Sequence, residues 1–384
     1  MITISDSIKF VGVNDKTLDL FESQYPIPNG VSYNSYVIMD EKIAIMDSVD
    51  PRATTQWLSN LDSVLAGKTP DYLVVSHMEP DHSGSIKDLL SKFPSITLVG
   101  NTKTFTMLGQ FIDISLVKNQ LVVKEGDQLD LGSHSLTFLM APMVHWPEVM
   151  VEYESTEKII FSADGFGKFG SLDTEEPWAD EARRYYLNIV GKYGPSVQAL
   201  LKKLSSVEVK TICPLHGPVL TGDLTPYLDL YHKWSTYTPE EKGVFIACAS
   251  IHGNTKKIAA DLCQTLTDKG IKAEFYDLTR GSLSEAVAKA FYYDTMVCAA
   301  STYDGGVFLP MEDFINHLRA KAFQNRKIAF IENGTWGPMA AKTMRALFEP
   351  MKSIEFIDPV VTVKSTLDPT SEAALADLVQ ALSK

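Results

Sequence analysis

Cysteine is sparse in this chain: four among 384 residues, at positions 213, 248, 263 and 298. No two form a CxxC pair, and their spacing gives no regular framework, which argues against a disulfide scaffold and leaves reduced, buried thiols. Positive charge is short as well. The 35 Lys and Arg stand against 48 Asp and Glu, a formal net charge of −13. An acidic chain repels phosphate backbones, so nucleic acid is not the expected partner. Nowhere do about 18 apolar residues run together, the length a membrane helix needs. The start, Met1-Ile2-Thr3-Ile4-Ser5, has neither a basic cluster nor a long apolar core, so no signal peptide is expected. These absences together predict a cytoplasmic protein working off the membrane. There is also no internal repeat and no low-complexity tract.

What is present is enough apolar content, 45% of residues, for two sizeable cores in a length that suits two domains. From Val11 to about Pro214 short apolar strands dominate, at 36–39, 43–46, 73–75, 96–99, 121–123, 136–139 and 159–161. Helical periodicity intervenes at 54–65, 85–92 and 181–204. This pattern predicts two sheets sandwiched between helices. A polar stretch holding Pro239 and Gly243, residues 235–243, marks a seam. Beyond it, strands at 244–249, 273–278, 296–300, 328–331 and 360–363 alternate with helical patterns at 255–268, 283–291, 312–321, 340–351 and 371–382. That alternation predicts a doubly wound parallel sheet. The expected domains are 1–240 and 241–384.

The densest chemistry lies in His77-Met78-Glu79-Pro80-Asp81-His82, where four of six side chains can bind a metal. The run follows an apolar strand, Asp71 to Ser76, and precedes the helix start at Ser83-Gly84-Ser85. Its ligands therefore fall on a strand-to-helix connection. Asp81 also has the chemistry of a helix N-cap. Imidazole suits zinc and iron alike, while added carboxylate oxygens favour harder, redox-active iron. A pattern HxHxDH at such a place would resemble the zinc hydrolases of the metallo-β-lactamase fold. Here Glu79 replaces the second histidine, and HxExDH resembles the flavodiiron proteins, reductases of dioxygen and nitric oxide.

That resemblance implies the rest of the ligand set. His77, Glu79 and His145 would bind one iron, Asp81, His82 and His216 the other, and Asp164 would bridge them. Each segment lies beside a strand end: His145 after 136–139, Asp164 after 159–161, His216 after Cys213-Pro214. The three carboxylates offset three of the four positive charges of two ferrous ions, which makes the site cheaper to bury. His134, His232 and His317 lack any such context and are expected at the surface. Tyr25, in the loop Tyr25 to Tyr36 that resembles the family's opening segment, is a candidate for the catalytic pocket, with hairpin packing as its alternative.

After the seam, strand 244–249 runs into Ser250-Ile251-His252-Gly253-Asn254-Thr255 and then a helix. Hydroxyls, a glycine and a helix N-terminus make an anion site. The loop is neither GxGxxG nor a P-loop. It resembles the FMN phosphate loop of flavodoxins, with Ser250, His252, Gly253, Asn254 and Thr255 as phosphate contacts. Two later loops leave the carboxyl ends of strands, where doubly wound sheets bind ligands. These are Ser301-Thr302-Tyr303-Asp304-Gly305-Gly306 and Glu332-Asn333-Gly334-Thr335-Trp336-Gly337. Tyr303 and Trp336 would flank the isoalloxazine ring.

The resemblance spans nearly the whole chain. It implies a metallo-β-lactamase-like αββα sandwich followed by a flavodoxin-like α/β domain, with two irons and FMN as cofactors. The activity it implies is reduction of dioxygen to water, or of nitric oxide to nitrous oxide. With no rubredoxin-like or flavin-reductase module in view, electrons are expected from a separate donor, a rubredoxin-type protein or a reduced deazaflavin. A head-to-tail homodimer would bring one subunit's FMN to the other's irons. The competing reading is a dinuclear zinc hydrolase with an accessory flavodoxin-like domain.

Overall fold

A computed structural model describes residues 4–384, and the statements below concern those residues. Backbone contacts divide the chain into two compact units. The first holds residues up to Tyr186 and Tyr193–His232; the second holds Leu187–Lys192 and Lys233–Lys384. The division precedes the polar seam because the seam's aromatic groups anchor in the second unit. Trp234 Nε1 donates to Glu240 Oε1 at 2.6 Å, and Tyr237 Oη donates to the Gly191 carbonyl at 3.0 Å.

The first unit contains two six-stranded sheets. One runs in the order Ile8–Phe10, Tyr36–Ile38, Ala44–Met46, Tyr72–Val74, Thr97–Gly100, Asn119–Val122. The other runs Gln128–Asp130, Ser135–Met140, Met150–Glu154, Ile159–Phe161, Thr211–Cys213, Leu220–Thr221. Ile8, Ile38, Met46 and Val74 of the first sheet share one buried core with Leu136, Phe138, Ile159 and Phe161 of the second. Each such side chain contributes about 1.5–3 kcal/mol by leaving water. The helix Thr54–Leu65 covers the first sheet's other side through fully buried Trp57 and Leu61. This is the β-lactamase-like αββα sandwich.

Tyr72–Val74 pairs in parallel with both Ala44–Met46 and Thr97–Gly100, and Ile159–Phe161 pairs in parallel with Thr211–Cys213. Parallel neighbours end at the same edge. Their carboxyl-terminal loops therefore converge, and those loops carry the candidate ligands.

The second unit is built on five parallel strands in the order Ala273–Asp277, Glu241–Ala249, Tyr293–Tyr303, Arg326–Asn333, Ile354–Phe356. Val361–Val363 continues the last position beside Arg326–Asn333. Numbered along the chain, the order is 2-1-3-4-5, the flavodoxin-like arrangement. Its central strands are buried along their length because helices lie on both faces: Asn254–Asp268 and Pro369–Leu382 pack on one through Ile258, Leu262, Leu378 and Val379, and Leu309–Ala320 meets the other, Phe314 against Phe245.

Three expectations need correction. The helix expected over 181–204 is broken: Trp178–Tyr185 passes into a π-turn at Tyr186–Val190 and a tight turn at Gly191–Tyr193 before Gly194–Leu204 restarts. Pro195, in the first turn of the last segment, has no N–H to continue the ladder. Met150–Glu154 is a central strand that the apolar pattern hid, because Glu152 and Glu154 interrupt it. His134 is only 5% exposed, held between Asp40 and Glu157 rather than in solvent. Among the described residues no helix is long and apolar enough to cross a membrane.

Candidate functional site

The His77 loop is held by its backbone before any ligand is considered. At the end of Ala44–Met46, Asp47 turns its Oδ1 to accept the N–H groups of Ser76 and His77, at 2.8 and 3.3 Å. Glu148 Oε1 accepts the Met78 N–H at 2.8 Å. Pro80, with its fixed φ, opens the one-turn helix Pro80–Ser83, which aims Asp81 and His82 inward. Asp81 thus lies inside the helix rather than capping it; Glu79 holds the N-cap position. Gly84 closes the turn against Pro51, whose ring carbons lie 2.5 Å from where a Cβ would stand.

All seven expected side chains meet, in two groups: His77, Glu79, His145 and Asp164, and Asp81, His82 and His216. Glu79 Oε2 lies 3.2 Å from His77 Nε2 and 3.0 Å from His145 Nε2. Asp81 Oδ2 lies 3.4 Å from His82 Nε2 and 3.2 Å from His216 Nε2. Asp164 spans the groups. Its Oδ2 faces His77 and His145 at 3.3 and 3.2 Å, while its Oδ1 faces His82 and His216 at 3.2 and 3.7 Å.

The donor set fits metal ions. Both oxygens of Asp81 and of Asp164, with Nε2 of His82 and of His216, are buried without a hydrogen-bond partner among the described residues. Leaving such groups unpaired is costly, and a metal at each group would satisfy them. Without metal, protons take that place. Burial opposes charging His77, but Asp164, Glu148 and Glu79 outweigh it and hold its pKa well above the imidazole range. His145 behaves alike, raised to about 9 against burial by the facing carboxylates of Asp164 and Glu79. Burial would also neutralise Asp164; the charges of His77 and His82 overcome it and hold its carboxyl well below the usual range. Metal binding here must displace protons, so affinity rises with pH.

Sequence reasoning did not find most of the surrounding shell. Glu148 Oε1 sits 2.8 Å from His77 Nδ1, and the Ser32 carbonyl sits 2.7 Å from His216 Nδ1. The rings of Phe21, Tyr33 and Tyr185 pack 5.4, 6.2 and 5.5 Å from that of His216, and Trp146 lies 5.2 Å from His77. Burial, reinforced by the charges of Asp164, Asp81 and Glu79, holds the Tyr185 phenol well above its ordinary pKa, so it keeps its proton. Tyr25 is buried and packs on Phe169 at 6.1 Å, and Phe169 in turn packs on Phe21 and Tyr185. An opening of about 390 Å3, lined by Phe21, Tyr33, Arg52, Glu79 and Asp81 among others, leads to the cluster. Trp146, beside His145, and Tyr25 are the aromatic groups the sequence pointed to; Phe21, Tyr33 and Tyr185 have no local signal, lying far in sequence from the His216 they pack on.

In the second unit the three expected loops line one cavity of about 610 Å3, within the range of about 300–1,000 Å3 usual for ligand pockets. Ser250, His252, Asn254, Thr255, Ser301, Thr302, Tyr303, Asp304, Asn333, Gly334, Thr335 and Trp336 line it, with Gly305. Gly253 and Gly306 are not lining residues. Gly253 shapes the phosphate-type turn at φ 94°, leaving the helix Asn254–Asp268 without a side-chain cap and its first N–H groups available. Gly306 lies in the short strand Gly306–Val307. Several lining side chains are already engaged: Ser250 Oγ accepts the Gly253 N–H, and the hydroxyls of Thr255 and Ser301, and of Thr335 and Ser365, pair with each other. Thr302 Oγ1 accepts the N–H groups of Met339 and Ala340, and the Asn333 amide exchanges bonds with the Ser365 backbone. Trp336 is 95% and Tyr303 46% exposed, so both offer free ring faces at the rim. Ile251 and Gly337, from the same expected loops (the last running 332–337), also line the cavity, and Ser365 was not foreseen. The carboxyl end of Val361–Val363 was the available signal for Ser365.

Residues 31–217 match the family described as ODP family beta lactamase. Over its full length the chain superposes on rubredoxin oxygen:oxidoreductase from Desulfovibrio gigas, with a TM-score of 0.91 at 24% identity, covering 97% of that chain. It is 28% identical to a putative diflavin flavoprotein A 1 of Nostoc, across 100% of this chain and 67% of that protein. In fold, and in these relatives, the chain is similar to the flavodiiron proteins. The chain is also 26% identical to an anaerobic nitric oxide reductase flavorubredoxin of Aeromonas hydrophila, across 87% of the chain and 70% of the relative. It spans about half the length of two further diflavin flavoproteins, from Synechocystis and Thermosynechococcus vestitus. The His and carboxylate cluster described above is of a kind that could hold metal ions.

Proposed function

We propose that this protein reduces dioxygen to water, or nitric oxide to nitrous oxide, at two irons held by His77, Glu79, His145, Asp81, His82, His216 and bridging Asp164. The observation that carries this reading is Asp164, which turns one oxygen to each half of the cluster. Two irons would supply the redox chemistry there and FMN the electrons, four with four protons per dioxygen, or two with two protons per pair of nitric oxides. Phe21, Tyr33, Tyr185 and Trp146 keep the pocket dry and narrow, which suits small neutral gases. Tyr185 Oη holds a proton beside the cluster. In the second half, taken as 241–384 beside a metal half of 1–240, the 250–255 loop would hold the FMN phosphate on the free N–H groups after Gly253. The loops at 301–306 and 333–336 would border the ring, with Tyr303 and Trp336 stacking on it. The relatives' names support an external donor of the rubredoxin type, and a head-to-tail pairing of two chains would join the two cofactors. A cytoplasmic location suits that donor.

The test combines metal analysis with rapid anaerobic mixing of the reduced protein against each gas. Two irons per chain, one FMN and consumption of a gas with water or nitrous oxide as product are expected. His145→Ala or His216→Ala should lower turnover at least 100-fold while FMN stays bound. Two zincs and no iron would favour a hydrolase. Peroxide as the product, unchanged in both variants, would assign the reaction to free flavin chemistry.

A further inference from the structure

The two halves of the cluster are alike in their ligands and unlike behind them. His77 Nδ1 faces a carboxylate, Glu148 Oε1, at 2.8 Å. Glu148 is 1% exposed, its Oε1 also accepts the Met78 N–H at 2.8 Å, and its Oε2 has no partner among the described residues. Its backbone is pinned too, the Asn101 amide donating to the Glu148 carbonyl at 2.6 Å. In the other half, His216 Nδ1 donates to a neutral backbone carbonyl, that of Ser32, at 2.7 Å. His82 Nδ1 is buried with no partner among the described residues. Asp47, also buried, acts on His82 of the second half through space but bonds only the backbone of Ser76 and His77, so Glu148 is the carboxylate in direct contact with a ligand's ring nitrogen.

We propose that Glu148 is a positioning residue that makes the metal position of His77, Glu79 and His145 the more electron-rich of the two, so that the mixed-valent protein carries its ferric ion there. The inference rests on reading the cluster as a two-iron site. With Met78 donating to Oε1, the proton shared with His77 belongs on Nδ1, which fixes the tautomer and turns the Nε2 lone pair to the metal. An imidazole that donates to a carboxylate is a stronger donor than one that donates to a carbonyl. A buried negative charge on one side also favours the higher oxidation state on that side, and the low-dielectric surroundings keep it from being screened. Glu148 further supplies a fourth carboxylate beside Glu79, Asp81 and Asp164. Four negative charges balance two ferrous ions, and the fourth is placed wholly on one side.

The test is a potentiometric titration of the iron-loaded protein, read by the electron paramagnetic resonance of the mixed-valent form. Two separate one-electron steps are expected. Glu148→Gln keeps the size and removes the charge. It should raise the lower step alone and shrink the stability constant of the mixed-valent form about tenfold, equal to about 59 mV of separation. Glu148→Asp retains the charge and should retain the separation. An unchanged separation in Glu148→Gln, equal movement of both steps, or loss of the separation in Glu148→Asp would overturn the proposal. Zinc titration of the metal-free protein decides the matter should Glu148→Gln fail to hold two irons. One binding step should weaken about 10–100-fold and the other stay put; weakening of both, or of neither, counts against it. Fewer than two irons per chain in the unsubstituted protein would remove the two-iron reading itself, and the proposal with it.

Discussion

His134 joins three turns of the first unit through one imidazole. Nδ1 lies 2.8 Å from Asp40 Oδ2 and Nε2 lies 3.2 Å from Glu157 Oε1, which also accepts the Ser5 hydroxyl at 2.8 Å. Burial disfavours the imidazolium, but the bonds to Asp40 and Glu157, with the charge of Glu154, outweigh it and raise the pKa. Burial likewise opposes ionising Asp40; the bonds from His134 and nearby N–H groups win and lower it to about 2. The signs of the two shifts fix a window. A raised histidine stabilises fully below its unfolded value of about 6.5 and loses that contribution as pH climbs through the folded value. A lowered aspartate stabilises above about 3.9 and loses its share as pH falls toward 2. The network is therefore strongest between about pH 4 and 6.5. In urea unfolding of the metal-free protein the raised histidines of the metal cluster also titrate. The His134 share, read as the difference from His134→Gln, should be on the order of 1 kcal/mol lost as pH rises from 6 to 9, a figure kept small for solvent screening of Glu157. His134→Gln should flatten that slope relative to the unsubstituted protein; an equal slope in both would place the titrating group elsewhere. Nothing near His134 in sequence foretells this, since Asp40 is 94 residues away.

At the scale of elements, the helix Thr102–Phe111 shows how a cap can serve the site. Asn101 Oδ1 accepts the N–H groups of Lys103 and Thr104, ending two of the helix's orphan donors, while its amide nitrogen holds the Glu148 carbonyl. Asn101→Ala should cost about 2 kcal/mol, the cap and the bond together. Asn101→Asp keeps the cap and loses the donor, so it should cost about 1 kcal/mol. Equal losses in chemical denaturation would mean that only the bond to Glu148 matters, and no loss in Asn101→Asp that only the cap does. The same distinction explains what could be read from sequence. The HxExDH run is legible because metal chemistry restricts residue type and a strand end can be recognised from the apolar run before it, while His145, Asp164 and His216 followed from the family resemblance, with strand-end positions that agree with it. Parallel strands of the second half are legible because burial on both faces makes them continuous apolar runs, as at Val244 to Ala249. Glu148 and Glu152 were not, because a buried carboxylate looks like a surface one until its partners, 71 and 76 residues distant, are placed. The break after Tyr185 was missed because Tyr186, Leu187, Ile189 and Val190 are buried all round and keep the apolar rhythm through the π-turn.

At the scale of the whole molecule, each proposed cofactor falls entirely inside one compact unit. The seven metal-type side chains lie in the first and every lining residue of the flavin-type cavity lies in the second. The units also keep separate cores, Phe138 and Ile159 belonging to one and Ile246 and Ile331 to the other. A ligand that binds only the folded form stabilises by RT ln(1 + [L]/Kd), about 2.7 kcal/mol at 100 times Kd. In domains of this size that corresponds to about 5–10 °C. Calorimetry of the cofactor-free protein should thus resolve two transitions. FMN alone should raise one by about that amount, ferrous iron under anaerobic conditions should raise the other, and both together should raise both. Asp164→Asn should abolish the response to iron and leave the response to FMN, since Asp164 is the residue shared by both metal positions. A single transition raised by either ligand would show that the halves unfold as one unit. In that case occupancy of either site would strengthen binding at the other, because a stability linkage through a shared unfolding step runs in both directions.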